Sequence, residues 1–250
     1  MKRALYFISF FLLFSFVLVV SPAVAEGKIK AAVAANFIAP FQELSKLFTA
    51  RTGIPVEATY SSTGQLYAQI VNGAPYDLFL SADQERPAVL HKEGRADPPL
   101  VYAVGRVVLW VVRKNICSAS NWQKALVMPG VKKIAIANPR IAPYGAAAEV
   151  ALKKTGLMEN VSGKLVFAQN IAQSFQYAST GSVDAGFCAL SAVLSEEGRK
   201  GCTFAISEAP SITQSACLLK RTGRNNNAET LLKFLTTPEA VAIKKKYGYY

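Results

Sequence analysis

Four short segments carry residues whose type and spacing could do chemistry. They are Ala35-Asn36, Ser61-Ser62-Thr63-Gly64, Asn138-Pro139-Arg140-Ile141-Ala142-Pro143-Tyr144-Gly145 and Gln169-Asn170-Ile171. Each brings small or uncharged polar residues to the start of a helical pattern. A helix start exposes backbone N–H groups that lack intrahelical partners, together with the positive end of the helix dipole, and Asn, Ser and Thr add side-chain donors. Taken singly, each segment is an ordinary cap. Four of them facing one cleft would surround a small oxyanion with neutral donors. That chemistry suits a dehydrated dianion, because a buried Lys or Arg would itself be costly to strip of water.

Other chemistries lack parts. The chain has one histidine, His91, in a polar stretch that reads as an exposed helix end, so a Ser-His-Asp or Cys-His centre would depend on a single misplaced imidazole. Asp77 precedes the end of the third strand and Asp83 follows it, and no paired carboxylates stand at strand ends. Cys117, Cys188, Cys202 and Cys217 match no zinc spacing, and there is no P-loop or Gly-x-Gly-x-x-Gly. The expectation is a binding protein with no catalytic residues, no cofactor and no directly coordinated metal.

The elements that must position these turns follow from hydrophobic period. Short β-branched runs alternate with helical stretches, the pattern of βα units around mainly parallel sheets. Strands are predicted at Lys28–Ala34, Val56–Tyr60 and Tyr76–Ser81, with helices at Ile38–Ala50, Gly64–Val71 and Glu85–Glu93. A second set opens with the apolar run Val107–Arg113. It continues with strands at Ile134–Ala137, Leu165–Ala168 and Ala185–Ala189, and helices at Ala146–Thr155 and Ile171–Ser179. A helix over Ala228–Leu235 comes next. Thr237-Pro238-Glu239, an N-cap with Pro at the first helical position, then opens a last helix closed by Gly248. In open α/β sheets ligands bind beyond the carboxyl ends of the strands, where the four turns lie.

The chain has 250 residues, 51% hydrophobic and 18% charged, with a formal net charge of +12. Much of the hydrophobicity is local. Lys2-Arg3, the uncharged stretch Ala4–Val20 and the small residues Ser21–Ala25 form a secretory leader, with cleavage expected after Ala25. Losing Lys2 and Arg3 lowers the charge from +12 to +10. The remaining Lys and Arg are scattered, which reads as solvated surface rather than a nucleic-acid face. Export to an oxidising compartment makes disulfides plausible. Cys202 and Cys217 flank a segment with Pro210 that reads as a strand-loop-strand connection, so a disulfide is expected there, with Cys188 as a small buried residue.

A broader resemblance rests on named stretches. They are Ala34-Ala35-Asn36-Phe37, Ser62–Ile70, Gly73–Asp83, Asn138-Pro139 with Ala142-Pro143-Tyr144-Gly145, Gly186–Ser191, and Lys245-Lys246-Tyr247-Gly248-Tyr249. Together, in order and across the whole chain after the leader, they resemble the periplasmic molybdate-binding proteins of ABC importers. The resemblance implies an α/β, two-lobed periplasmic-binding fold of type II, with the ligand cleft between lobes joined by two crossover strands. The crossings are expected near Tyr102–Val111 and Ser215–Leu219. Lobe I would then comprise 26–106 and 219–250, and lobe II 107–218. Carried over position by position, ligand contacts fall on Asn36 and Thr63 from the first lobe and on Tyr144 and Ile171, the latter by its backbone N–H, from the second, with Ser62 adjoining. The implied function is a periplasmic, monomeric receptor that binds molybdate or tungstate and delivers it to an inner-membrane permease. The alternative is another tetrahedral oxyanion such as sulfate or thiosulfate.

One departure from the family stands out. Many members place a tyrosine hydroxyl on the strand that here ends at Ala189, which has no side-chain donor. Either the phenol of Tyr144 replaces it against the ligand, or Tyr144 offers only its backbone N–H while its ring packs on the wall.

Overall fold

The computed structural model describes residues 27–220 and 225–250. The expected leader and its cleavage point lie outside the described residues. Ten strands form two five-stranded sheets. The first has the order β2 (Val56–Ser61), β1 (Ile29–Ala34), β3 (Leu78–Leu80), β10 (Ile212–Leu218), β4 (Leu100–Gly105). The second runs β7 (Leu165–Ala168), β6 (Ile134–Ala137), β8 (Ala185–Ala189), β5 (Val107–Val111), β9 (Cys202–Ala205).

The two sheets repeat one plan. β1 is parallel to β2 and β3, and β6 is parallel to β7 and β8. The one reversed strand stands fourth in each: β10 is antiparallel to β3 and β4, and β5 is antiparallel to β8 and β9. Each reversed strand arrives from the other lobe. Only Arg106 separates β4 from β5, and residues 206–211 separate β9 from β10. The first crossing falls within the expected range. The second comes earlier than Ser215–Leu219, because Ile212–Leu218 already pairs with β3 and β4 in the first sheet.

Burial explains the elements. β6, and β1 from Ala31 onward, read as continuous apolar runs because both faces are covered, as parallel strands require. Helix Ile38–Thr52 buries Pro40, Phe41, Leu44 and Phe48 on one stripe and ends at Gly53, whose φ of 72° is the left-handed cap glycine tolerates. Helix Pro143–Lys154 starts three residues earlier than the apolar pattern indicates. Pro143 at its first position lacks only an N–H that would have had no partner. His91 lies exposed in the last turn of helix Glu85–Lys92.

The cysteines correct one expectation. Cys117 and Cys202 form the disulfide, with Cα atoms 5.8 Å apart, and Cys188 and Cys217 are free and buried. The pairing follows from sheet register. Cys202 sits opposite Val111 on edge strand β9, beside the short helix Lys114–Cys117 that directly follows β5. Cys217 belongs to β10 in the other lobe, opposite Phe79 and packed with Ala32, Leu66 and Ile70.

Candidate functional site

The four donor-rich turns meet in one cavity between the sheets. It is small and is lined by Ala34–Asn36, Ser62–Thr63, Ala142–Tyr144 and Asn170–Ile171, with Ala82 closing one side. None of these residues is charged. Asn36, Ser62, Thr63, Tyr144 and Ile171 all line it, and each is at most 5% exposed.

Each turn reaches the cavity because a strand ends there. β1 runs into the short 3₁₀ turn Ala35–Phe37, and β2 into helix Thr63–Val71. After β6 the chain turns through Asn138, whose carbonyl accepts from the N–H groups of Ile141 (3.1 Å) and Ala142 (2.9 Å), before helix Pro143–Lys154 begins. After β7, Asn170 caps helix Ile171–Ser179 by accepting from Gln173 N–H at 3.0 Å. That cap satisfies the third helical N–H and leaves the first, at Ile171, without an intrahelical partner.

Two hydroxyls, those of Thr63 and Ser62, reach the cavity from one helix start. Thr63 Oγ1 accepts from the Ala82 N–H at 3.0 Å, so its own O–H remains available to donate. Ser62 occupies the N-cap position of helix Thr63–Val71 yet makes no capping bond, and its buried Oγ has no hydrogen-bond partner. A buried hydroxyl without a partner costs about 1–3 kcal/mol, and Ser62 Oγ stands in that state on the cavity wall.

The lobes are closed over the cavity. Gly64 N–H donates to Ile141 O at 2.9 Å, and Ser191 Oγ donates to Asn36 O at 2.7 Å, both across the cleft. A closed pair of α/β lobes around a small uncharged cavity suits a ligand that is enclosed and later released. Residues 29–250 match the bacterial extracellular solute-binding protein family. The chain belongs to that family.

This solute-binding protein is 40% identical over 227 residues to the molybdate-binding protein ModA of Rhodobacter capsulatus, covering 90% of this chain and 89% of that one. It is 38% identical over 232 residues to ModA of Azotobacter vinelandii, covering 91% of each chain. Its fold superposes on the solved structure of the Azotobacter vinelandii periplasmic molybdate-binding protein with a TM-score of 0.84 at 35% identity, over 89% of this chain and 99% of that one.

Beneath the cavity lies a polar network that sequence reading missed. Asn36 Nδ2 donates to Gln214 Oε1 at 2.8 Å and to the Tyr249 hydroxyl at 3.0 Å. The Tyr249 hydroxyl donates to Asn36 O at 2.7 Å. Tyr144 sends its hydroxyl to this side, where it accepts from Gln214 Nε2 at 3.2 Å, and it makes no hydrogen bond to Ser62 or Thr63. Burial pushes the phenols of Tyr102, Tyr144 and Tyr249 above the usual tyrosine range, so all three stay neutral at physiological pH. Gln214 gave no sequence signal, being one polar residue inside a strand, and Tyr249 entered only through the closing stretch of the family resemblance, with no site role attached. Among the described residues no group of three or more His, Cys, Asp or Glu side chains could hold a metal ion.

Proposed function

We propose that this solute-binding protein is a periplasmic receptor for molybdate and tungstate, acting as a monomer that hands its ligand to an ABC permease. The observation that carries the reading is the buried, unpartnered Ser62 hydroxyl in a cavity lined only by neutral groups. Thr63 O–H and the free N–H groups at the starts of the helices after Ala142 and Asn170 complete a donor set for a tetrahedral dianion. The molybdate-binding relatives, at 38 and 40% identity, support the same ligand. Molybdate and tungstate are tetrahedral dianions of nearly equal size, so one cavity serves both, and size rather than charge separates them from sulfate. The leader motif supports export with the mature chain beginning at Glu26.

The test is a thermal melt with molybdate, tungstate, sulfate and phosphate. A ligand at about a thousand times its Kd adds roughly 4 kcal/mol by mass action. At about 2–4 °C per kcal/mol for a chain of this size, molybdate and tungstate should raise Tm by roughly 8–16 °C, and sulfate much less. Equal shifts with sulfate would move the assignment to the sulfate alternative, and no shift with any oxyanion would end the receptor reading.

A further inference from the structure

Gln214 does not line the cavity, yet it lies fully buried between two residues that do, Asn36 and Tyr144, and bonds to both. It stands on β10, the strand that returns from the second lobe, and the pairing of β10 with β4 slips in register between Gln214 and Ser215. Gln214 pairs with Ala103 and Ser215 with Val101, so the extra residue of this bulge is Tyr102 on β4, whose hydroxyl reaches Gln214. The Gln214 carboxamide takes three partners from three elements. Its Oε1 accepts from Asn36 Nδ2 at 2.8 Å and from the Tyr102 hydroxyl at 3.1 Å, and its Nε2 donates to the Tyr144 hydroxyl at 3.2 Å.

The neighbours dictate which way the amide faces. Tyr249 has two acceptors for its one hydrogen, Asn36 O at 2.7 Å and Ser191 Oγ at 3.1 Å, so at the 3.0 Å contact with the Asn36 side chain it accepts. The Asn36 atom there is therefore Nδ2, the same Nδ2 donates to Gln214, and Oε1 is the Gln214 atom that receives it. Nε2 is left for Tyr144. Space at this junction depends on Gly105, where a Cβ would lie 2.0 Å from the Tyr144 hydroxyl and 2.8 Å from Gln214 Nε2.

We propose that Gln214 is a positioning residue of the oxyanion cleft, joining the Asn36 turn of the first lobe to the Tyr144 helix start of the second so that both face one ligand. The proposal rests on the oxyanion-receptor reading above. Because Gln214 and Tyr249 engage both hydrogens of Asn36 Nδ2, Asn36 serves the ligand through its backbone N–H. The carboxamide instead locks the peptide that carries it.

Calorimetric titration of molybdate into the mature chain tests this with Gln214→Leu and Gln214→Glu. The Leu variant keeps the bulk but leaves Asn36, Tyr102 and Tyr144 without their partner, and binding should weaken about 10- to 100-fold. The Glu variant adds a readout that loss of packing would not move. Protonated, it accepts from Asn36 and donates to Tyr144 as the amide does. Ionised, it sets a negative charge beside a site for a dianion. The ionisable groups facing position 214 are Tyr102, Tyr144 and Tyr249, all held neutral by burial, with the ion pair of Asp83 and Arg86 beyond Tyr102. The parent's affinity should thus be flat from about pH 5 to about pH 8 while the Glu variant, near parental at the lower value, loses at least about tenfold at the higher. Leu-variant affinity within about threefold of the parent, or a flat Glu profile at parental affinity even if the Leu variant does not fold, overturns the proposal alone. A parent that binds no oxyanion overturns the receptor reading with it.

Discussion

Gly64 and Ile141 meet across the cleft so closely that a side chain on the first would press on the second. The Gly64 N–H donates to Ile141 O at 2.9 Å, and a Cβ on Gly64 would lie 3.0 Å from the Cα, Cβ and O of Ile141. Gly64 is helical, with φ outside the left-handed region, so alanine fits the open lobe and improves helix propensity by up to about 1 kcal/mol. The variant Gly64→Ala should show opposite signs in two measurements: an unchanged or slightly higher Tm without ligand, and molybdate affinity weakened about tenfold. Parental affinity in calorimetry would show that the Ile141 turn yields without cost.

Ser62 separates binding from stability in the same way. Its Oγ is buried without a partner, so Ser62→Ala removes an unmet donor and should leave the ligand-free protein as stable as the parent or slightly more so. A hydrogen bond to a charged group is worth about 1.5–3 kcal/mol, so molybdate affinity should fall about 10- to 150-fold. Calorimetric titration beside a ligand-free denaturant melt checks both halves, and undiminished affinity would remove Ser62 from the donor set.

The Cys117–Cys202 disulfide spans 85 residues of sequence. In the chain-entropy account a loop of that length contributes about 4–5 kcal/mol, so Cys117→Ser should lower stability by several kcal/mol. Peptide mapping without reductant should link the peptides of Cys117 and Cys202. Cys188 and Cys217 should react with thiol reagents only after unfolding, since burial also raises their pKa, that of Cys217 to about 12. A linked Cys202–Cys217 peptide would contradict the structure.

Asp184 gives the fold an acid-sensitive anchor. Burial alone would raise its carboxyl, but the N–H groups of Lys133 and Lys132, at 2.9 and 2.7 Å, and the Arg113 guanidinium outweigh burial and hold the pKa below the usual value. A depressed carboxyl stabilises the folded state above its unfolded pKa of about 3.9, and that contribution disappears as pH falls through the lower folded value. Asp184→Asn should cost about 1–3 kcal/mol at neutral pH and unfold over a shallower acid limb below about pH 4. Denaturant melts from neutral pH downward measure the difference, and parallel curves for parent and variant would exclude the role.

What local chemistry dictates is legible in short runs of residues. The 2- and 3.6-residue periods located β6, β7, β8 and helix Ile171–Ser179 at their observed bounds. The cap-type residues marked all four turns that the cavity gathers, because strand ends and helix starts are written in adjacent residues. Tertiary structure decided whatever depends on which segments become neighbours. Ile212–Leu218 reads as a buried strand in either lobe, and only its pairing with β3 and β4 assigns it to the first sheet. Cys202 has three possible partners along the chain, and the register that sets it beside the helix after β5 selects Cys117. The direction of the Tyr144 phenol likewise depends on Gln214, 70 residues away, and on the missing Cβ of Gly105. Periodicity and capping are properties of a few consecutive residues, whereas a disulfide, a hinge crossing or a buried hydrogen bond depends on distances that exist only once the sheets have assembled.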